Sequence, residues 1–229
     1  MSENQSLKEH YHAFKKLVLN DNPYEINIDD NEFYSVFTTV FNTICEQHSI
    51  INDRFYSKEG KGIIDFRFLD QYLIFCYRIA NYVYKESNDR VLADAIYYSS
   101  RVRCSTDLYY TAEIGDFFIP VHSLGTVMDS RSVYGKLFQI YNGVHIGPYK
   151  IIGIPPEEWK HPKFGNGVTL LGNSAVYGDT EIGDNVIVSA GTVIINEKIP
   201  SNCIVIGQSP QLYVLPNDFN NIDFFLKKT

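Results

Sequence analysis

From Phe164 onward a bulky apolar residue returns every six positions, as Phe164, Leu170, Val176, Ile182, Val188 and Ile194. Four positions after each of the first five stands a companion, Val168, Ser174, Thr180, Val186 and Thr192, that is small or β-branched. An earlier run keeps the same step with Met128, Tyr134, Ile140 and Ile146, and its companions are Ser132, Phe138 and Val144. A period of six is neither the 3.6 of a helix nor the 2 of a half-buried strand. It predicts hexapeptide repeats, each forming one flat face of a triangular prism, with the bulky residue inward and its companion filling the corner. One face cannot bury itself, so the coils must stack. An antiparallel sandwich would need this register to arise by chance in both runs. Gly165, Gly172, Gly178, Gly183 and Gly191 fall at or near the expected corners, where turn chemistry favours glycine.

The first hundred residues have a different period. Leu7 to Leu19 carries apolar residues at helical spacing, and Asp29, Asp30 and Asn31 are N-cap candidates for a helix running to about His48. Gly60 and Gly62 mark a break. Phe66 to Tyr84 and Val91 to Val102 predict two more helices, separated by the turn signal Ser87-Asn88-Asp89. The expected class is α+β, with an α-helical segment over 1–104, a β-helix over 105–214 and a tail over 215–229. Between the two hexapeptide runs, Gly147 to Lys163 breaks the count and holds Pro148, Pro155, Pro156, Trp159 and His161. A long excursion from a solenoid collects on its binding face. The stretch from Pro200 through Gly207 and Pro210 is expected to cap the open end of the prism, and Asn217 to Thr229 to add a short helix or strand.

Composition narrows the function. The 229 residues are 45 % hydrophobic and 21 % charged, ordinary for a soluble globular chain. A net charge of -7 argues against nucleic acid, which needs a surplus of Lys and Arg on one face. No apolar run approaches the roughly 20 residues of a membrane span, and the polar N-terminus does not read as a signal peptide. Cys45, Cys76, Cys104 and Cys203 are scattered without a CxxC spacing, so they read as reduced thiols of a cytoplasmic protein.

For chemistry, Asp107 and His122 lie 15 residues apart, close to the roughly 18 of one coil. They could therefore sit side by side on one face. A carboxylate holding one imidazole nitrogen leaves the other free as a general base, with the hydroxyl nucleophile supplied by a substrate. A lone surface histidine beside an unrelated Asp is the alternative. His161, at the end of the excursion, is a second candidate. His145 lies inside the repeat register and reads as structural, and His10, His12 and His48 carry no motif.

Five stretches carry a resemblance. They are Tyr77-Arg78-Ile79-Ala80, the ungapped segment from Asp107 to His122, His122-Ser123-Leu124-Gly125 running on to Val133-Tyr134-Gly135, His161-Pro162-Lys163, and Ser189-Ala190-Gly191-Thr192-Val193. In order and spacing, over about residues 72 to 214, they resemble the serine acetyltransferase family of hexapeptide-repeat acyltransferases. The resemblance implies a left-handed parallel β-helix, acetyl-CoA as co-substrate, no metal, and a homotrimer or a dimer of trimers. It implies His122 as general base, Asp107 as its orienter, and His161 as an acceptor-binding group reaching a cleft between neighbouring prisms. Gly147, Gly172, Ser189 and Ala190 would line the acetyl-CoA groove, where small residues let the pantetheine lie against the backbone.

The departures from the family lie in the acceptor site. The family's Asp directly before the catalytic His is Val121 here, and its Arg before the second His is Lys160, which loses bidentate carboxylate recognition. The family's upstream serine-binding Asp has no clear match. These changes imply a hydroxyl acceptor other than free L-serine, such as a sugar, a glycan unit or a derivatised serine. The alternatives are a serine O-acetyltransferase whose clamp is rebuilt from Asp65 or Asp70, an N-acetyltransferase acting on an amino sugar, and a non-catalytic assembly protein. In the family a C-terminal Ile docks a partner enzyme. This chain runs Leu226-Lys227-Lys228-Thr229, so that docking is not expected.

Overall fold

The computed structural model describes residues 3–149 and 153–227. Four helices come first: α1 (Glu3–Asp21), α2 (Asp30–Ile50), α3 (Leu69–Ser87) and α4 (Arg90–Cys104). Asp29 caps α2 by accepting the amides of Asn31 and Glu32, and Asp89 caps α4 by accepting that of Leu92, as short polar side chains do at helix starts. The glycine break between α2 and α3 is a two-stranded hairpin, Ser57–Lys58 against Lys61–Gly62. The helices share an aromatic core in which Phe14, Phe37, Phe66, Tyr72 and Phe75 meet at ring separations of 4.9 to 5.9 Å. These helical aromatics are packing.

His48 on α2 is buried, and its Nδ1 donates to the Ile63 carbonyl at 2.7 Å. Burial outweighs that bond and holds its pKa at about 4, below the ordinary 6.5. Between those two values the unfolded chain binds a proton that the folded chain refuses. Stability is therefore fully present above 6.5 and lost as pH falls towards 4. Wild type should lose about 2 kcal/mol more than His48→Gln between pH 7 and pH 5, read from denaturation midpoints. Equal losses would remove His48 from the account.

After α4 the chain winds into a parallel three-faced β-helix. The first face is built from Asp107–Leu108, Val127–Met128, His145–Gly147, Ala175–Tyr177 and Val193–Ile195. The second face is Glu113–Ile114, Val133–Tyr134, Lys163–Phe164, Glu181–Ile182 and Lys198–Ile199. The third is Ile119–Val121, Gln139–Tyr141, Thr169–Leu170, Ile187–Val188 and Cys203–Gln208. Register follows the hexapeptide count: Phe164 stands beside Ile182, and Leu170 beside Val188, each one full coil further along the chain. The inward residues Met128, Tyr134, Ile140, Ile146, Phe164, Leu170, Val176, Ile182, Val188 and Ile194 are all buried. At the edge between the second and third faces successive coils touch backbone to backbone. A Cβ on Gly135 there would collide with the carbonyl of Gly165.

One coil escaped the sequence count. Leu108 pairs with Met128, and Ile114 with Tyr134, across a step longer than that of the regular coils from Phe164 to Ile182 and from Leu170 to Val188. The six-residue register therefore breaks before Met128. The excursion lengthens a later step, since Tyr134 pairs with Phe164 across its whole length. Residues 150–152 of that excursion lie outside the described residues.

The Tyr77-Arg78 dipeptide of α3 closes the open N-terminal end of the prism. The Tyr77 hydroxyl donates to the Ala112 carbonyl at 2.7 Å and accepts the Ile114 amide at 3.1 Å. Arg78 donates to the carbonyls of Ile114 and Gly115, and Asn81 to that of Tyr110. These are backbone groups that a further coil would otherwise satisfy.

Cys203–Gln208 pairs antiparallel with Gln211–Pro216, and the chain then doubles back. A short helix, α5 (Asn221–Phe225), runs beside the prism, with Asn221 Nδ2 donating to the Gly167 carbonyl at 2.7 Å. Leu226 forms an antiparallel bridge with Ile51, and the Asn52 amide donates to the Phe225 carbonyl. The tail thus returns to the helical segment beside the first coil. The expected Leu226-to-Thr229 terminus is described only to Lys227. Among the described residues no helix is long and apolar enough to cross a membrane.

Candidate active site

His122 turns the edge between the third and first faces, directly after the strand Ile119–Val121. Its backbone is left-handed, with φ 50, a conformation uncommon outside glycine and asparagine. Asp70, in the first turn of α3, holds it there. Its carboxylate accepts the His122 amide at 2.9 Å, the Ser123 amide at 3.2 Å and the Ser123 hydroxyl at 3.2 Å. His122 is exposed and lines a cavity of about 420 Å³ between the first coils, the helical segment and the returning tail. Asp53, Tyr56, Asp70, Val121, Gln139 and Phe225 also line it.

Asp107 lies on the same edge, because the Ser105 carbonyl accepts the Gly125 amide and the Asp107 amide donates to the Thr126 carbonyl. Its carboxylate accepts the Tyr97 hydroxyl at 2.5 Å and lies 3.4 Å from the Arg101 guanidinium. Burial, and then this carboxylate, push the Tyr97 hydroxyl pKa above its usual range. Within one protomer no hydrogen bond or ion pair among the described residues joins Asp107 to His122. The carboxylate that touches His122 is that of Asp70, and it touches the backbone. Of the two acidic residues raised as substitutes for the missing clamp, Asp70 is at the site. Asp65 pairs with Arg67 and lines a separate groove with His10 and Arg103.

Below His122 the same edge descends as a ladder of backbone bonds. Gly143 donates to Leu124, Asn173 to Asn142 and Gly191 to Gly172. Gly172, Ser189 and Ala190 therefore lie on the His122 edge. Gly147 does not: it ends a first-face strand, and its carbonyl accepts the Gly178 amide at the next edge.

That next edge, between the first and second faces, carries the excursion with Lys160 and His161. His161 Nδ1 meets Asp129 Oδ2 at 2.7 Å, with both side chains nearly buried. Asp129 also accepts the Ser132 hydroxyl at 2.8 Å. The Nε2 of His161 is buried without a partner among the described residues, an arrangement that costs free energy unless something else meets it. Lys160 is exposed. One protomer thus places His122 and His161 on different edges of the prism, and a single site can use both only if a second protomer supplies one.

The comparisons with known proteins point to one group. Residues 161–196 match the family model for the bacterial transferase hexapeptide (six repeats). The serine acetyltransferase of Synechococcus elongatus is 29 % identical over 133 residues, covering 58 % of this chain and 52 % of that protein. The chain is similar to serine acetyltransferases and carries hexapeptide repeats. Its match spans about half the length of that curated relative. Among solved structures, the serine acetyltransferase of Brucella abortus in complex with coenzyme A superposes with a TM-score of 0.67 at 17 % identity, covering 90 % of this chain and 82 % of that one. That of Neisseria gonorrhoeae gives 0.65 at 20 % identity, covering 90 % and 79 %. Over that span both neighbours share the fold of the serine acetyltransferase-like chain. Asp70, Asp53, Gln139 and Phe225 are the lining residues that sequence reasoning left unplaced or missed. They come from separate parts of the chain, and no motif links them to His122.

Proposed function

We propose that the protein is an acetyl-CoA-dependent O-acetyltransferase acting on a small hydroxyl compound of the serine type. The observation that carries this is His122 beside a ligand-sized cavity, at the head of an edge that continues through Gly172, Ser189 and Ala190. The relatives, which are serine acetyltransferases, favour a serine-type acceptor over the sugar or glycan reading. His122 takes the proton of the acceptor hydroxyl. The oxygen then attacks the thioester carbonyl carbon, the carbon–sulfur bond breaks, and the leaving thiolate receives the proton from the imidazolium. Asp107 orients the imidazole once substrate draws it from Tyr97.

The second protomer of a trimer supplies His161 to the acceptor, and the edge with Gly147 faces the acetyl-CoA groove across the interface. This uses the buried, unpartnered Nε2 of His161. Purified protein should release CoA from acetyl-CoA when offered serine-type hydroxyl compounds, at rates well above those with sugars. Release with sugars alone would replace the acceptor, and intact acetyl-CoA binding without release on any hydroxyl would favour the assembly reading.

A further inference from the structure

The cavity beside His122 has a chemistry that free serine does not fill. Its roughly 420 Å³ holds about 14 water-sized groups, roughly double the non-hydrogen atoms of serine. Phe55, Tyr56, Phe68, Tyr141 and Phe225 give it an aromatic wall. Asp53 and Asp70 line it, and among the described residues no lysine or arginine does. Both carboxylates act on one point: the buried Tyr56 hydroxyl has its pKa raised by burial first, then by Asp70 and Asp53. Such a pocket suits an ammonium group and repels a carboxylate.

Gln139 supplies an independent observation. It is 1 % exposed, and its Oε1 accepts the Thr169 hydroxyl at 3.4 Å. Its Nε2 has no partner among the described residues, and the residue lines this cavity. A buried amide donor left unpaired costs about 1–3 kcal/mol, which a ligand oxygen would recover. With two carboxylates in the same cavity, that oxygen belongs to a neutral carbonyl.

Resting on the acetyl-transfer reading above, we propose that the acceptor is a β-hydroxy amine whose carboxyl group is neutralised as an amide or ester and carries an apolar body. The ammonium group lies against Asp53 and Asp70, the carbonyl oxygen accepts a hydrogen bond from Gln139 Nε2, and the apolar body covers the aromatic wall. The hydroxyl then faces His122. Val121 precedes the histidine, and Asp70 brings a carboxylate to the same corner from α3.

Three probes test this with the full-length protein and saturating acetyl-CoA: L-serine, L-serine benzylamide, and 3-hydroxy-N-benzylpropanamide, which lacks the amine. The benzylamide should exceed both others in kcat/KM by at least about tenfold. Asp53→Asn keeps an oxygen for the Phe55 amide that Asp53 now accepts at 2.8 Å. It should narrow the preference for the amine-bearing probe over the amine-free one by about tenfold. A preference for L-serine, or equal rates with and without the amine, would overturn the proposal. Calorimetric titration of the same three compounds separates this from the parent reading. If nothing is acetylated yet the benzylamide binds about tenfold tighter than both others, acetyl transfer fails and the acceptor class stands. If binding is equal or absent as well, both fall.

Discussion

Replacing His122 with asparagine should lower CoA release from acetyl-CoA by about 10²–10⁴-fold, the usual contribution of a positioned general base. Asparagine is the substitution of choice because the residue sits at φ 50, which asparagine tolerates better than alanine does. The Asp70 bond to the backbone amide of residue 122 survives the change, and the residue is exposed. The denaturation midpoint should therefore stay within about 0.5 kcal/mol of wild type. Asp107→Asn should cost less than His122→Asn, since the proposed role of Asp107 is to orient the ring and not to take a proton. An undiminished rate in His122→Asn would remove the base from the mechanism. A large drop in stability would show that the corner, and not the imidazole, had been lost.

Phe164→Ala should be the most damaging substitution in the prism. The ring is buried and stacks on Tyr134 at 5.3 Å with an interplanar angle of 5°, while Phe138 meets it edge-on at 5.1 Å. It also joins the coils on either side of the excursion, pairing with Tyr134 before it and Ile182 after it. Packed between two coils and two aromatic rings, the site has little freedom to close over a void. The expected cost is about 3–5 kcal/mol, lost transfer energy plus a cavity, read from the midpoint of denaturant unfolding. A cost below about 1 kcal/mol would mean that the coil relaxes around the gap, and that the stacking of aromatic layers does not hold this part of the prism together.

The β-helix was legible because its signal is periodic and local: each inward residue repeats the demand of the one six places before it. The same locality hid the first coil, where a longer step displaces Leu108 and Ile114 from the count. The start of α2 was legible at Asp29, where one side chain states its role within the first helical turn, whereas Asp89 was readable as part of a turn and shows its capping role only in the structure. The site was legible only in part. His122, Gly172, Ser189 and Ala190 recur at fixed positions along one edge, so a linear motif finds them. Asp70 reaches His122 across 52 residues, and Phe225 arrives from a tail that doubles back. No periodicity encodes such contacts, which arise when helical segment, prism and tail close on one another. Tyr77-Arg78 shows the intermediate case. The dipeptide was readable as a motif, but its work in closing the prism appears only with the coil it covers.

The central claim is that the site lies between protomers, with His122 from one and His161 from its neighbour. The most direct test is to co-assemble His122→Asn and His161→Ala chains, each inactive or nearly so alone, and measure CoA release with a serine-type acceptor. In a trimer assembled at random from equal amounts, about one interface in four pairs an intact His122 with an intact His161. The account predicts recovery to about a quarter of the wild-type rate. A mixture no more active than its two components measured apart would contradict it.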